Sequence, residues 1–131
     1  MEQTFKEIFD ASPEVVVRAP GRVNLIGEHT DYNDGFVLPA AIGRYITFAG
    51  RRRADRTVRV HSTDFQDSTA FSLDDIQKDT TRPWSNYLRG VSKLLEEDGH
   101  GLTGADVVFG GDVPREAGLS SSAAVEVAAT A

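Results

Sequence analysis

Residues 120–131 constrain the fold of this chain more than any other stretch. They consist of serine, alanine, valine and threonine, with Glu126 as the one charged side chain. That composition predicts a helix that is apolar on nearly every face, and such a helix is stable only when covered on more than one side. No glycine, proline or basic residue closes it, so its last carbonyls have no local cap. Few other elements remain within 131 residues to cover it. The expectation is therefore a single incomplete domain over residues 1–131, the N-terminal portion of a longer protein.

The segments ahead of that helix are shorter and mostly β-forming. Residues 15–19 are rich in valine and predict a strand that stops at Pro20-Gly21, with a second apolar run at 23–26. Residues 36–38, 44–49 and 68–73 predict further strands. Thr57-Val58-Arg59-Val60-His61-Ser62 alternates, with Val58 and Val60 on the buried face. The first clear helix spans 83–97. Trp84, Tyr87, Leu88, Val91, Leu94 and Leu95 share one stripe, and Arg89, Lys93, Glu96 and Glu97 lie mostly off it. Pro83 suits its first position and Gly99 its C-terminal cap. A strand at 105–109 follows. Strands first, then helix, strand and helix predict an α+β layer.

Composition removes several functions. There is no cysteine, so disulfides, thiolate zinc sites and thiol nucleophiles are excluded. The net charge of −6 argues against nucleic acid or an anionic membrane as a partner. No apolar run approaches a membrane span, and Met1 to Glu7 lacks a signal-peptide pattern, which predicts a cytoplasmic protein. Five arginines between positions 51 and 59 lack interleaved aromatics and suit the solvated tip of a hairpin better than a polyanion site.

Two segments could carry chemistry. In Gly110 to Ala124 a strand leads through glycines to three serines that open a helix. Unpaired N–H groups and hydroxyls there suit phosphate oxygens and a hard cation such as Mg²⁺. The loop lacks the lysine of a Walker A motif. The alternative is that Ser120 is only an N-cap. In Gly21 to Gly35, the run Glu28-His29-Thr30-Asp31 packs donors and acceptors that suit sugar hydroxyls. Arg22 offers a fork of donors for phosphate oxygens. The alternative is a polar surface loop ending in the turn residues Asn33-Asp34-Gly35. The Trp84 stripe is core packing first, with Trp84 or Tyr87 stacking on a base as the other reading.

Arg18-Ala19-Pro20-Gly21-Arg22, continuing through Gly27-Glu28-His29-Thr30-Asp31-Tyr32 to Pro39, resembles the galactokinase signature. Val113-Pro114 to Ala124 resembles the ATP-binding motif of the wider family of galactose, homoserine, mevalonate and phosphomevalonate kinases. Trp84-Ser85-Asn86-Tyr87-Leu88-Arg89-Gly90-Val91 is similar to the family's intervening helix. The resemblance implies a fold like ribosomal protein S5 domain 2, packed against a C-terminal part. It implies transfer of the ATP γ-phosphoryl group to the C1 hydroxyl of α-D-galactose, with Mg²⁺ as cofactor. Glu28, His29, Thr30 and Asp31 would bind the sugar, with Arg22 beside the reacting phosphoryl oxygens. Glu116, Ala117, Gly118, Leu119, Ser120, Ser121 and Ser122 would wrap the ATP phosphates, and Ser122 would ligate Mg²⁺. Glu116 stands where most relatives have glycine, and its carboxylate would repel phosphate if it did not point outward or pair with Arg115. The family's catalytic aspartate lies further along the chain, so the 131 residues alone would be inactive. Two related readings share the motifs: a kinase for another sugar such as N-acetylgalactosamine, and a non-catalytic galactose and ATP sensor. The intact Ser120-Ser121-Ser122-Ala123 favours catalysis.

Overall fold

The computed structural model describes residues 1–27, 29–114 and 119–131, and only the backbone of Asp31. Among the described residues the order is α1 (Glu2–Phe9), β1 (Val15–Ile26), β2 (Leu38–Arg52), β3 (Thr57–Ser62), β4 (Asp67–Ser72), α2 (Asn86–Glu97), β5 (Ala105–Gly111) and α3 (Ser121–Thr130). Short 3₁₀ turns cover Asp31–Asn33 and Pro83–Ser85. The strands form one sheet in the order β1-β2-β5-β3-β4, antiparallel except for the β3–β5 pair. This is the expected α+β architecture, with one addition at its start. Phe5 and Phe9, four residues apart, make α1 amphipathic, and the helix precedes the strands.

Alternation along the strands sorts the core to two faces. Phe48 and Phe109 are paired in register, and their rings stack 4.9 Å apart on the face covered by α2 and α3. The next pair, Ala49 and Val108, points the other way and is closed by Phe5 of α1. Val58 and Val60 share the first face, as their alternation requires. Ala124, Val125 and Ala128 of α3 pack there too, whereas Val127 is 62% exposed.

Five sequence expectations change. β1 does not stop at Pro20-Gly21 but runs through with register shifts after Pro20 and Asn24. It is an edge strand, so the N–H that proline lacks breaks no central ladder. β2 is one strand of 15 residues that begins at Leu38, so Phe36 and Val37 fall outside it. β2 and β3 do not form a hairpin, because β5 lies between them. Arg89 lies on the buried side of α2, its guanidinium bonded to Ser85 Oγ, the Gln77 carbonyl, Thr69 Oγ1 and Asp79 and set 4.6 Å over the Phe71 ring. Leu94, expected on the stripe, is exposed instead.

The arginine cluster is also more tied than a solvated tip. Arg53 and Arg59 both donate to the buried Asp106, at 3.2 and 2.6 Å, and Arg53 also holds Asp55. Burial pushes the Asp106 carboxyl up, but the Arg59 and Arg53 hydrogen bonds outweigh it and hold it below the ordinary carboxylate range. A depressed folded pKa adds stability above the unfolded value of about 4, and that stability is lost as pH falls through the folded pKa. Asp106→Asn is expected to destabilise the protein by about 2 kcal/mol at neutral pH, since it removes the buried carboxylate that the partly exposed Arg53 and Arg59 share as acceptor. The gap between variant and parent should narrow below about pH 4. Thermal midpoints at the two pH values check this.

Candidate functional site

The site is assembled where the edge strand meets the start of α3. Gly21 sits at the irregular point of β1, and a Cβ there would meet the Leu119 carbonyl oxygen and Val113 Cγ1 at 3.0 Å. The absent side chain therefore lets the serine loop lie directly on the strand. The next residue, Arg22, uses that proximity twice. Its backbone N–H donates to the Leu119 carbonyl at 3.0 Å, and Nη2 donates to Ser120 Oγ at 2.7 Å.

Ser120 is in the left-handed region (φ 59°), and its side chain makes no cap hydrogen bond. The N-cap reading of that hydroxyl is thus not what the structure shows. Its carbonyl begins the helix by accepting from Ala124 N–H, while its Oγ accepts from Arg22. Ser122 Oγ donates to the Tyr87 hydroxyl at 2.9 Å. Beside these serines lies a cavity of about 420 Å³ whose walls include Phe65, Trp84, Tyr87, Phe109, Leu119 and Ser121. Phe65 stacks on Trp84 at 5.9 Å. The turn carrying Phe65 is tied to β5 by Thr63 N–H to the Phe109 carbonyl and by Gly111 N–H to Asp64. Glu116, Ala117 and Gly118, expected in the phosphate loop, lie outside the described residues.

β1 leads into the second predicted segment. Ile26 stands four strand residues beyond Arg22, about 13 Å at strand rise. Thr30 Oγ1 donates to the Gly27 carbonyl at 2.6 Å and to the Phe36 carbonyl at 3.0 Å, so its proton closes the loop and its lone pairs stay available. The Thr30 carbonyl accepts from Asn33 N–H and Gly35 N–H. His29 Nδ1 pairs with the Tyr32 hydroxyl at 2.7 Å. Glu28 and the Asp31 side chain lie outside the described residues. Among the described side chains, the structure joins Arg22 to the serine run, whereas His29 and Thr30 bond within their own loop.

Two supports of the site carry no sequence signal of their own. Asp112 Oδ1 accepts from Tyr45 N–H at 2.7 Å and its other oxygen from Arg44, pinning the loop after β5 to β2. The Tyr45 N–H bond, then the Arg44 bond, holds the Asp112 carboxyl below its ordinary range. The second is the Thr63–Phe65 turn, which its hydrogen bonds to β5 and the stacking of Phe65 on Trp84 bring to the cavity. No group of three or more acidic or histidine side chains with metal-binding geometry occurs among the described residues. No helix among them is long and apolar enough to cross a membrane.

This arrangement has close counterparts. Residues 3–52 match the galactokinase galactose-binding signature, and residues 86–131 match the GHMP kinases N terminal domain. The galactokinase of Roseiflexus sp. is 56% identical over 128 residues. The chain belongs to the galactokinase family. It covers 98% of its own length in that alignment but 32% of the Roseiflexus protein. The crystal structure of Lactococcus lactis galactokinase complexed with galactose superposes with a TM-score of 0.88 at 38% identity, over 98% of this chain and 34% of that one. Mevalonate kinase of Methanococcus jannaschii shares the fold at a TM-score of 0.72 and 19% identity, over 88% of this chain and 38% of that one. The galactokinase family chain described here thus spans about a third of the length of the relatives it matches.

Proposed function

We propose that the whole protein transfers the γ-phosphoryl group of ATP to the C1 hydroxyl of α-D-galactose, giving galactose 1-phosphate and ADP. The observation that carries this reading is the Arg22–Ser120 hydrogen bond, which joins the sugar signature to the serine run. In this reading the hexose lies against the Glu28–Asp31 segment, where His29 and the Thr30 lone pairs offer acceptors and donors to its hydroxyls. Glu116 to Ser122 bind the ATP phosphates through backbone N–H groups and hydroxyls at the start of α3. The nucleoside fills the aromatic cavity beside Trp84 and Tyr87, where ring faces supply a stacking surface.

Phosphoryl transfer depends mostly on positioning and on charge stabilisation. Arg22 has a guanidinium that is fixed at one end by Ser120 and otherwise faces outward. In this role it donates to the oxygens of the transferring group. The proton of the sugar hydroxyl goes to an aspartate outside these 131 residues, by the resemblance to the family. Mg²⁺, when bound, neutralises charge on the phosphate oxygens, and Ser122 would hold it through one hard hydroxyl oxygen. Such a donor set suits a cation whose remaining ligands are phosphate oxygens and water. The protein would act in the cytoplasm, with ATP and a free sugar as its partners.

A coupled assay of ADP release by the whole protein, with a panel of hexoses, tests the proposal. Galactose is expected to support turnover that requires ATP and Mg²⁺. Turnover with N-acetylgalactosamine and not with galactose would move the assignment to the related sugar kinase. Binding of both ligands without turnover would make the protein a sensor.

A further inference from the structure

We propose that Tyr87 is a positioning residue that turns the Ser122 hydroxyl toward the cation of a metal–nucleotide complex. The inference rests on the reading above, in which the serine run holds that complex. It begins from proton accounting. A serine hydroxyl has one proton and two lone pairs. When its oxygen ligates a cation, the proton must turn away from the cation, and it needs an acceptor to stay there. Ser122 Oγ lies 2.9 Å from the Tyr87 oxygen, in position to donate that proton to it when the cation takes the other side. Both lone pairs of Ser122 are then free on the side away from Tyr87.

Tyr87 is suited to this by its place in the fold. It lies in the first turn of α2, next to the buried Leu88 and three residues after the buried Trp84. α2 packs directly against α3, which carries Ser122. The phenolic oxygen is therefore held by one helix at a set distance from the hydroxyl on the other. An acidic side chain in the same place would accept the proton too, but it would attract the cation to itself. A neutral phenol accepts the proton and adds no rival charge.

The test is calorimetry of ADP binding to the whole protein, with Mg²⁺ and with EDTA. Tyr87→Phe keeps the ring and removes only the acceptor. It is expected to reduce the Mg²⁺ enhancement of ADP affinity about fivefold, the loss of one ordinary hydrogen bond, with the metal-free Kd unchanged. Ser122→Ala should show a similar loss, and adding Tyr87→Phe to it should cost nothing more. Equal weakening with and without Mg²⁺ would make Tyr87 a stacking surface only and overturn the proposal. So would an intact Mg²⁺ enhancement in Tyr87→Phe, or full additivity of the two substitutions. If the parent protein bound no ADP under either condition, the assignment of the serine run itself would fall, a result distinct from the others.

Discussion

Arg22→Ala in the whole protein is expected to lower kcat about 100-fold or more, the usual scale for removing a preorganised donor from a developing charge. The fold should survive the change. Arg22 is exposed on an edge strand, and the backbone N–H that ties β1 to Leu119 remains in the variant. What is lost is the guanidinium that Ser120 holds at 2.7 Å. Galactose affinity should change little, because the sugar segment begins at the far end of β1. Arg22→Lys separates charge from shape. A lysine keeps the charge but not the fork of donors, so it should recover part of the rate and not all of it. Initial-rate kinetics over both substrates check the result, with a thermal melt as the control. A normal kcat in Arg22→Ala would remove this residue from the chemistry.

Arg22 could be singled out from sequence because its proposed role rests on local motifs. Arg18 to Pro39 and Val113 to Ala124 are contiguous runs, and so are the strand and helix that carry them. Alternation in Thr57–Ser62 placed Val58 and Val60 on one face, and the spacing of Trp84, Leu88 and their neighbours gave α2 its register. Other features depend on contacts that spacing does not encode. Pro20-Gly21 is a stop signal by propensity, yet the strand continues, because an edge position needs no N–H there. Arg89 sits within an amphipathic pattern as a polar residue, and only Asp79, Thr69 and Phe71, from other parts of the chain, make its burial favourable. The insertion of β5 between β2 and β3 turns an apparent hairpin into a crossover and brings Asp106 to Arg53 and Arg59. Tyr87 looked like core or a stacking ring, and its hydroxyl gained meaning only once α3 lay beside α2. The α1 helix has a legible signal, the Phe5–Phe9 spacing, but eight residues are too few to form a stable helix without the sheet face that buries Phe5.

Gly27→Ala should abolish most of the galactose affinity, by about 10² in Kd, while leaving nucleotide binding intact. Gly27 joins β1 to the proposed sugar loop at φ 88°, a conformation that an L side chain adopts only with strain. A Cβ there would also run into the Phe36 carbonyl oxygen and come within 3.0 Å of Val37 Cα. These are backbone atoms, so no rotamer change relieves the contact. The same Phe36 carbonyl and the Gly27 carbonyl both accept the Thr30 hydroxyl. Moving either one therefore opens the loop at its closing bond, and with it the turn that carries His29 and Asp31. Strain of this kind costs about 1–3 kcal/mol, and loss of the closing hydrogen bond adds about 1 kcal/mol, which together correspond to the affinity loss expected. The Arg22–Ser120 contact lies at the other end of the strand segment, and the aromatic cavity is lined by neither Gly27 nor Phe36. Calorimetry with galactose and with ADP separates the two effects. A parallel loss of both ligands would show that the sugar loop supports the whole cleft, and unchanged galactose binding would show that the sugar does not depend on this loop.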